Sequence, residues 1–124
     1  MWARNGAILP LDSAKGMGLH YFPKLGGEFF LLEGDIAEYS QVHAAPALDF
    51  MRLEIESKKE REYQWVVHHV EKPEGVEFEE RKYKEVEKLA DVVDGTWWWD
   101  AGNKNLHVRV KVKAGEDCII NLII

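Results

Sequence analysis

Residues 94–124 read DGTWWWDAGNKNLHVRVKVKAGEDCIINLII, and this stretch carries the plainest structural signal in the chain. From Leu106 onward, Leu106, Val108, Val110 and Val112 fall on one face and His107, Arg109, Lys111 and Lys113 on the other. That period of two marks a half-buried β-strand. Just upstream, DAGNKN supplies Asp100, Gly102, Asn103 and Asn105, which tolerate left-handed or Asx-turn geometry, so 96–99 is expected to pair with the strand as a hairpin. KAGED turns the chain again, and CIINLII, apolar at nearly every position, reads as a central strand covered on both faces.

The same alternation recurs further upstream. ALDFMRLEIES places Met51, Leu53 and Ile55 on one face and Arg52, Glu54 and Glu56 on the other. The charged KKER then leads into the β-branched and aromatic EYQWVVHHV, which is expected to be its hairpin mate. LHYFP and GEFFLLEG flank the Gly-rich KLGG and suggest another hairpin, and GAILPL reads as a short strand ended by Pro10. VEFEERKYKEVEKLADVV fits either period. Two short strands near 76–80 and 82–86, followed by a turn of helix, are expected there. No repeat, low-complexity tract or linker divides the chain. Residues 1–124 are therefore expected to form a single all-β domain, an antiparallel β-sandwich of about seven to nine strands.

A chain of 124 residues is long enough to bury a core without staples. Its formal charge of −6 and lack of a basic stripe argue against nucleic acid as a partner. No apolar run approaches the roughly 20 residues that span a bilayer, and no charged n-region precedes an apolar leader-like segment, so no membrane association is expected. The single Cys118 sits in an apolar run and reads as a core residue. With no disulfide to form, nothing in the sequence points to an oxidising compartment; the localisation is left unknown, with a reducing, cytoplasmic one favoured.

The chemistry-bearing residues are sparse. Five histidines are present, but His68 and His69 are adjacent in a strand and point to opposite faces, while His20, His43 and His107 lie far apart. No metal-ligand set is expected from them. No phosphate-binding glycine loop, GxSxG elbow or CxxC pair occurs, so no cofactor and no local nucleophile are expected. Most of the 22 carboxylates belong to charged, solvated faces. Glu33 and Asp35 differ, because they are two apart at the end of an apolar strand, where a pair could accept a hydroxyl or a cation or simply cap the strand end. Trp97, Trp98 and Trp99, followed by Asp100, pose the main question. Alternation puts Trp97 and Trp99 on one face, either as core anchors or as a carbohydrate-binding platform with polar help from Asp100 and Asn103, and Trp98 on the other.

Two of these stretches resemble the C-terminal region of glycoside hydrolase family 31, the α-glucosidase and α-xylosidase family. WARNGAILPL is similar to the family's segment just after the catalytic barrel, and FPKLGGEFFLLEGDIAEYS to the stretch that follows, where a strand ends in a Leu-Tyr-Glu-Asp-Asp-Gly motif. Glu33 and Asp35 match that motif, whereas Leu32, Gly34 and Ile36 depart from it. VEFEERKYKEV and GTWWWDAGNKNLHVRVKV resemble the family's distal β-domain ending. The resemblance implies that residues 1–15 correspond to the tail of the post-barrel domain, and that the catalytic aspartates lie in a barrel upstream of this chain. It also implies a non-catalytic accessory role, bracing or docking to that barrel through apolar surface near the N-terminal strand. A stand-alone carbohydrate-binding module using residues 97–99 on an oligosaccharide is the competing expectation. If the strand containing AILPL lacks its partners here, a homodimer through residues 2–11 and the neighbouring LHYF strand is expected.

Overall fold

The computed structural model describes residues 2–5, 8–13, 16–23, 27–46, 50–79 and 81–123. In chain order its strands are β1 (Trp2–Asn5), β2 (Ile8–Ser13), β3 (Gly16–Tyr21), β4 (Gly27–Glu33), β5 (Glu38–Pro46), β6 (Phe50–Ser57) and β7 (Arg61–Val67). They continue with β8 (Gly75–Phe78), β9 (Arg81–Lys82), β10 (Lys84–Glu85), β11 (Thr96–Asp100), β12 (Asn105–Val112) and β13 (Glu116–Ile123), with one 3-10 turn at Leu89–Asp91. Nine of these strands have five residues or more, and the rest are short. They form two sheets, one ordered β1-β4-β5-β6-β13-β8-β9 and the other β10-β11-β12-β7-β3-β2. The architecture is an all-β sandwich, and no helix among the described residues is long and apolar enough to cross a membrane.

Alternation dictates what lies between the sheets. Leu106, Val108, Val110 and Val112 of β12 are buried and face Met51, Leu53 and Ile55 of β6 and Cys118, Ile120 and Leu122 of β13 within one apolar cluster. Trp65, Tyr21 and Tyr63 are the largest fully buried side chains. Each large apolar side chain removed from water contributes about 1.5–3 kcal/mol, so this cluster is the main source of stability. The hairpin expected at 96–112 is present, with Trp97 opposite Val108 and Trp99 opposite Leu106. Where two short strands near 76–80 and 82–86 and a turn of helix are expected, the described residues form three short strands, β8, β9 and β10, followed by the 3-10 turn at Leu89–Asp91. Tyr83, between β9 in one sheet and β10 in the other, packs against the core where the chain crosses.

Two expected hairpins are corrected. β6 and β7 lie in different sheets, β6 pairing with β5 and β13, and β7 with β12 and β3. The same holds for β3 and β4, since β3 pairs with β2 and, in parallel, with β7, while β4 pairs with β1 and β5. In each case the two strands send side chains into the same apolar cluster, Leu53 and Trp65 from β6 and β7, Leu19 and Leu31 from β3 and β4, and apolar alternation is equally satisfied by a neighbour in the same sheet or a partner in the opposite one. β13 is central, as expected, but only one face is fully covered. On its other face Ile119, Asn121 and Ile123 line a groove of about 610 Å³ with Phe50, Arg52 and Glu77.

The N-terminal segment also departs from expectation, because it finds partners within the chain. β1 pairs with β4 and β2 with β3, and Ile8 is wholly buried. Pro10 does not end β2 but sits within it opposite Leu19, which is possible because β2 is the last strand of its sheet, where a residue without an N–H is tolerated. Gly16, at φ 126°, begins β3 where a β-carbon would collide with the Glu62 carbonyl oxygen, so a side chain there is excluded both by conformation and by space.

Candidate functional site

The tryptophan stretch occupies β11, between the short edge strand β10 and the long β12. Trp97 is 4% exposed and its Nε1–H donates to the Tyr83 carbonyl at 3.2 Å. Trp99 packs against the core, and its Nε1–H donates to the Val70 carbonyl at 3.0 Å. Trp97 therefore has no surface for a sugar ring, and a platform made of Trp97 and Trp99 does not form. Trp98 faces the opposite way and lies against the His107 imidazole, with ring centroids 5.4 Å apart. Trp98 and Trp99 together line an open cleft of about 550 Å³, completed by Lys72, Glu85, Val86, Glu87 and Ala101. Lys72 and Glu85 form an ion pair of 2.8 Å there. Sequence reading missed Lys72, Glu85 and Glu87, because only the crossover of residues 81–85 and the packing of residue 70 bring them beside β11.

Asp100 is engaged in the hairpin turn. One carboxylate oxygen accepts from the Gly102 and Asn103 N–H groups at 3.0 and 3.4 Å, and the other from the Asn103 side-chain amide at 2.8 Å. These bonds, the Asn103 side chain foremost, hold the Asp100 carboxyl below the usual carboxylate range.

Glu33 and Asp35 are separated by their partners. Glu33, at the end of β4, is 4% exposed and receives two guanidinium bonds from Arg61, at 3.0 and 2.9 Å, and one from the Ser40 hydroxyl at 3.2 Å. Arg61 also donates to the Tyr63 hydroxyl at 3.2 Å, and Tyr63 meets Ser57 at 3.0 Å. The Glu33 side chain and the Tyr63 hydroxyl hold the Arg61 guanidinium more firmly protonated than usual, against the opposing effect of burial. Asp35 is exposed and pairs with Lys59 at 2.6 Å, which lowers its carboxyl pKa. One carboxylate is thus bound into a polar network between the sheets and the other into a surface ion pair.

The histidines converge more than their spacing implies. His20 Nδ1 and His68 Nε2 are 2.9 Å apart, Phe22 stacks on His68 with centroids 4.4 Å apart, and His107 hydrogen-bonds Gln64 at 3.2 Å in the neighbouring strand. Burial lowers the pKa of His20, His68 and His107. His20 and His68 are 48 residues apart, and only the parallel pairing of β3 with β7 joins them. Among the described residues no group of three or more His, Cys, Asp and Glu is arranged to hold a metal ion.

The fold recurs in larger enzymes. The chain is similar to a cycloalternan-forming enzyme from Listeria monocytogenes, with a TM-score of 0.78 and 14% identity over 95% of this chain and 13% of that one. It is also similar to the family GH31 dextranase of Flavobacterium johnsoniae, with a TM-score of 0.68, 15% identity, 96% of this chain and 19% of that one. The α-1,4-glucan lyase of Gracilariopsis lemaneiformis matches with a TM-score of 0.68 and 13% identity, over 94% of this chain and 16% of that one. The chain therefore spans less than a fifth of the length of these enzymes, and at such identities the likeness is one of fold. No family model matches the sequence. No curated protein matches it either.

Proposed function

We propose that this chain is a non-catalytic accessory β-sandwich, equivalent to the C-terminal region of a glycoside hydrolase family 31-like α-glucosidase, which braces or docks to the catalytic barrel. The observation that carries the reading is the distribution of the fold. A dextranase, a cycloalternan-forming enzyme and a glucan lyase share it over 94–96% of this chain, while it accounts for only 13–19% of theirs. A small unit kept beside three different reactions supports a structural task rather than the chemistry of any one of them. The likeness of WARNGAILPL and FPKLGGEFFLLEGDIAEYS to family 31 sequences supports the same assignment. Glu33 and Asp35 add to it, since each is held by a cation and they are not poised as a facing acid and base.

The docking surface in this reading lies beside the N-terminal strand. Leu11 of β2 is 62% exposed and borders a hollow of about 250 Å³ with Met17, Gly18 and Val66. The outer edge of β2 has no neighbouring strand among the described residues, and without a barrel the same edge is where two copies of the chain would pair. Mixing the chain with a separately expressed family 31 barrel that lacks its own sandwich tests the proposal. Co-elution and a raised barrel melting temperature are expected, both lost with Leu11→Glu. Independent elution with an unchanged melting temperature would overturn the bracing role.

A further inference from the structure

We infer that the cleft between Trp98, Trp99 and the β10 edge is a binding subsite for a neutral oligosaccharide. The inference goes beyond the bracing role and does not depend on it, because the geometry of the cleft carries it. Trp98 lies on the strand face opposite Trp97, half-buried beside His107, and Trp99 is tied to the Val70 carbonyl through its indole N–H, so two indoles border one opening. A volume of about 550 Å³ lies within the range of small-ligand sites. Indole faces attract the apolar C–H faces of pyranose rings, and rigid aromatics lose little entropy on doing so.

The polar lining selects the ligand's charge. Glu85 is held by Lys72 at 2.8 Å, which fixes a carboxylate and an ammonium side by side as acceptor and donor for vicinal hydroxyls. Glu87 lines the same opening with no ion-pair partner among the described residues. Two carboxylates against one ammonium, in a chain of net charge −6, disfavour phosphorylated or uronic sugars and favour uncharged ones. The cleft lies at the edge of the sheet, beside β10, the last strand of its order.

The full chain titrated with maltotetraose and isomaltotetraose, followed by tryptophan indole N–H resonances, tests the assignment. With at least one of these sugars, shifts confined to Trp98 and Trp99 are expected, while the buried Trp97 and Trp65 stay in place. Trp98→Ala should weaken binding at least tenfold and Glu87→Gln severalfold, with melting temperatures near that of the parent chain. If Trp98→Ala proves unstable, Trp98→Leu, which keeps apolar bulk but no aromatic face, should weaken binding to a similar degree. Unmoved Trp98 and Trp99 resonances at saturating sugar, or binding indifferent to both Trp98 variants, would overturn the subsite. So would displacement shifts from tetramethylammonium with none from sugar, which would assign the cleft to cations instead.

Discussion

Glu33 Oε1 and Arg61 Nη2 lie 2.9 Å apart although the residues are 28 positions apart in sequence and belong to facing sheets. The two side chains form a fork-to-fork pair that joins the end of β4 to the start of β7, beside the arch that carries the chain from one sheet to the other. Ser40 of β5 extends the link by donating to Glu33 and accepting from the Lys58 N–H at 2.9 Å. This cluster fixes how the two sheets meet at one end of the sandwich.

Removing one partner leaves the other stranded. Arg61→Met should cost about 3–5 kcal/mol, because the Glu33 carboxylate, with a side chain 3% exposed, loses its counter-ion. Adding Glu33→Leu should recover a large part of that loss. Urea midpoints with an unchanged slope are the readout. A single-variant cost below about 1 kcal/mol would mean that the pair behaves as a surface salt bridge.

The three tryptophans should separate by burial. Trp97→Ala is expected to cost about 3–5 kcal/mol through the cavity it leaves, and Trp98→Ala no more than about 1 kcal/mol. Chemical denaturation of both variants checks this. Equal losses at the two positions would contradict the inward and outward assignment of β11.

Stability should fall as pH drops through the histidine range. Burial is the first cause lowering His20, His68 and His107 below their ordinary value near 6.5, with neighbouring imidazoles adding to the effect at His68 and Asp100 opposing it at His107. Between those lowered values and about 6.5 the unfolded chain binds more protons than the folded one, so folding is most favoured above that window and weakens below it. Thermal melts from pH 8 to pH 5 should show a falling midpoint that begins near pH 6.5, and His68→Gln should flatten it. A midpoint constant across that range would refute the assignment.

Cys118 should be chemically silent in the folded chain. It is fully buried, and burial, with Glu116 and Asp117 nearby, pushes its thiol up to about 12. Iodoacetamide at pH 8 should label it only at the rate of global unfolding, and label it fully in urea. Prompt labelling under native conditions would show that β13 opens locally.

Period-two alternation was enough to show which side chains enter the core. The inward faces of 51–55 and 106–112, the turn at Asp100, the burial of Cys118 and the sandwich class all follow from residue order, because a strand's faces are set by its own sequence. Which strand lies beside which was decided only in three dimensions. A hairpin and an arch make the same demand on alternation, so KKER and KLGG could not announce that the chain changes sheets there. The parallel pairing of β3 with β7, the Glu33–Arg61 link and the His20–His68 contact depend on those changes of sheet, and the meeting of Glu85 and Glu87 with Trp98 on a third, between β9 and β10. Local sequence specifies a face. A partner is chosen by the whole chain, through the one arrangement that closes every apolar face against another while leaving few buried polar groups unpaired.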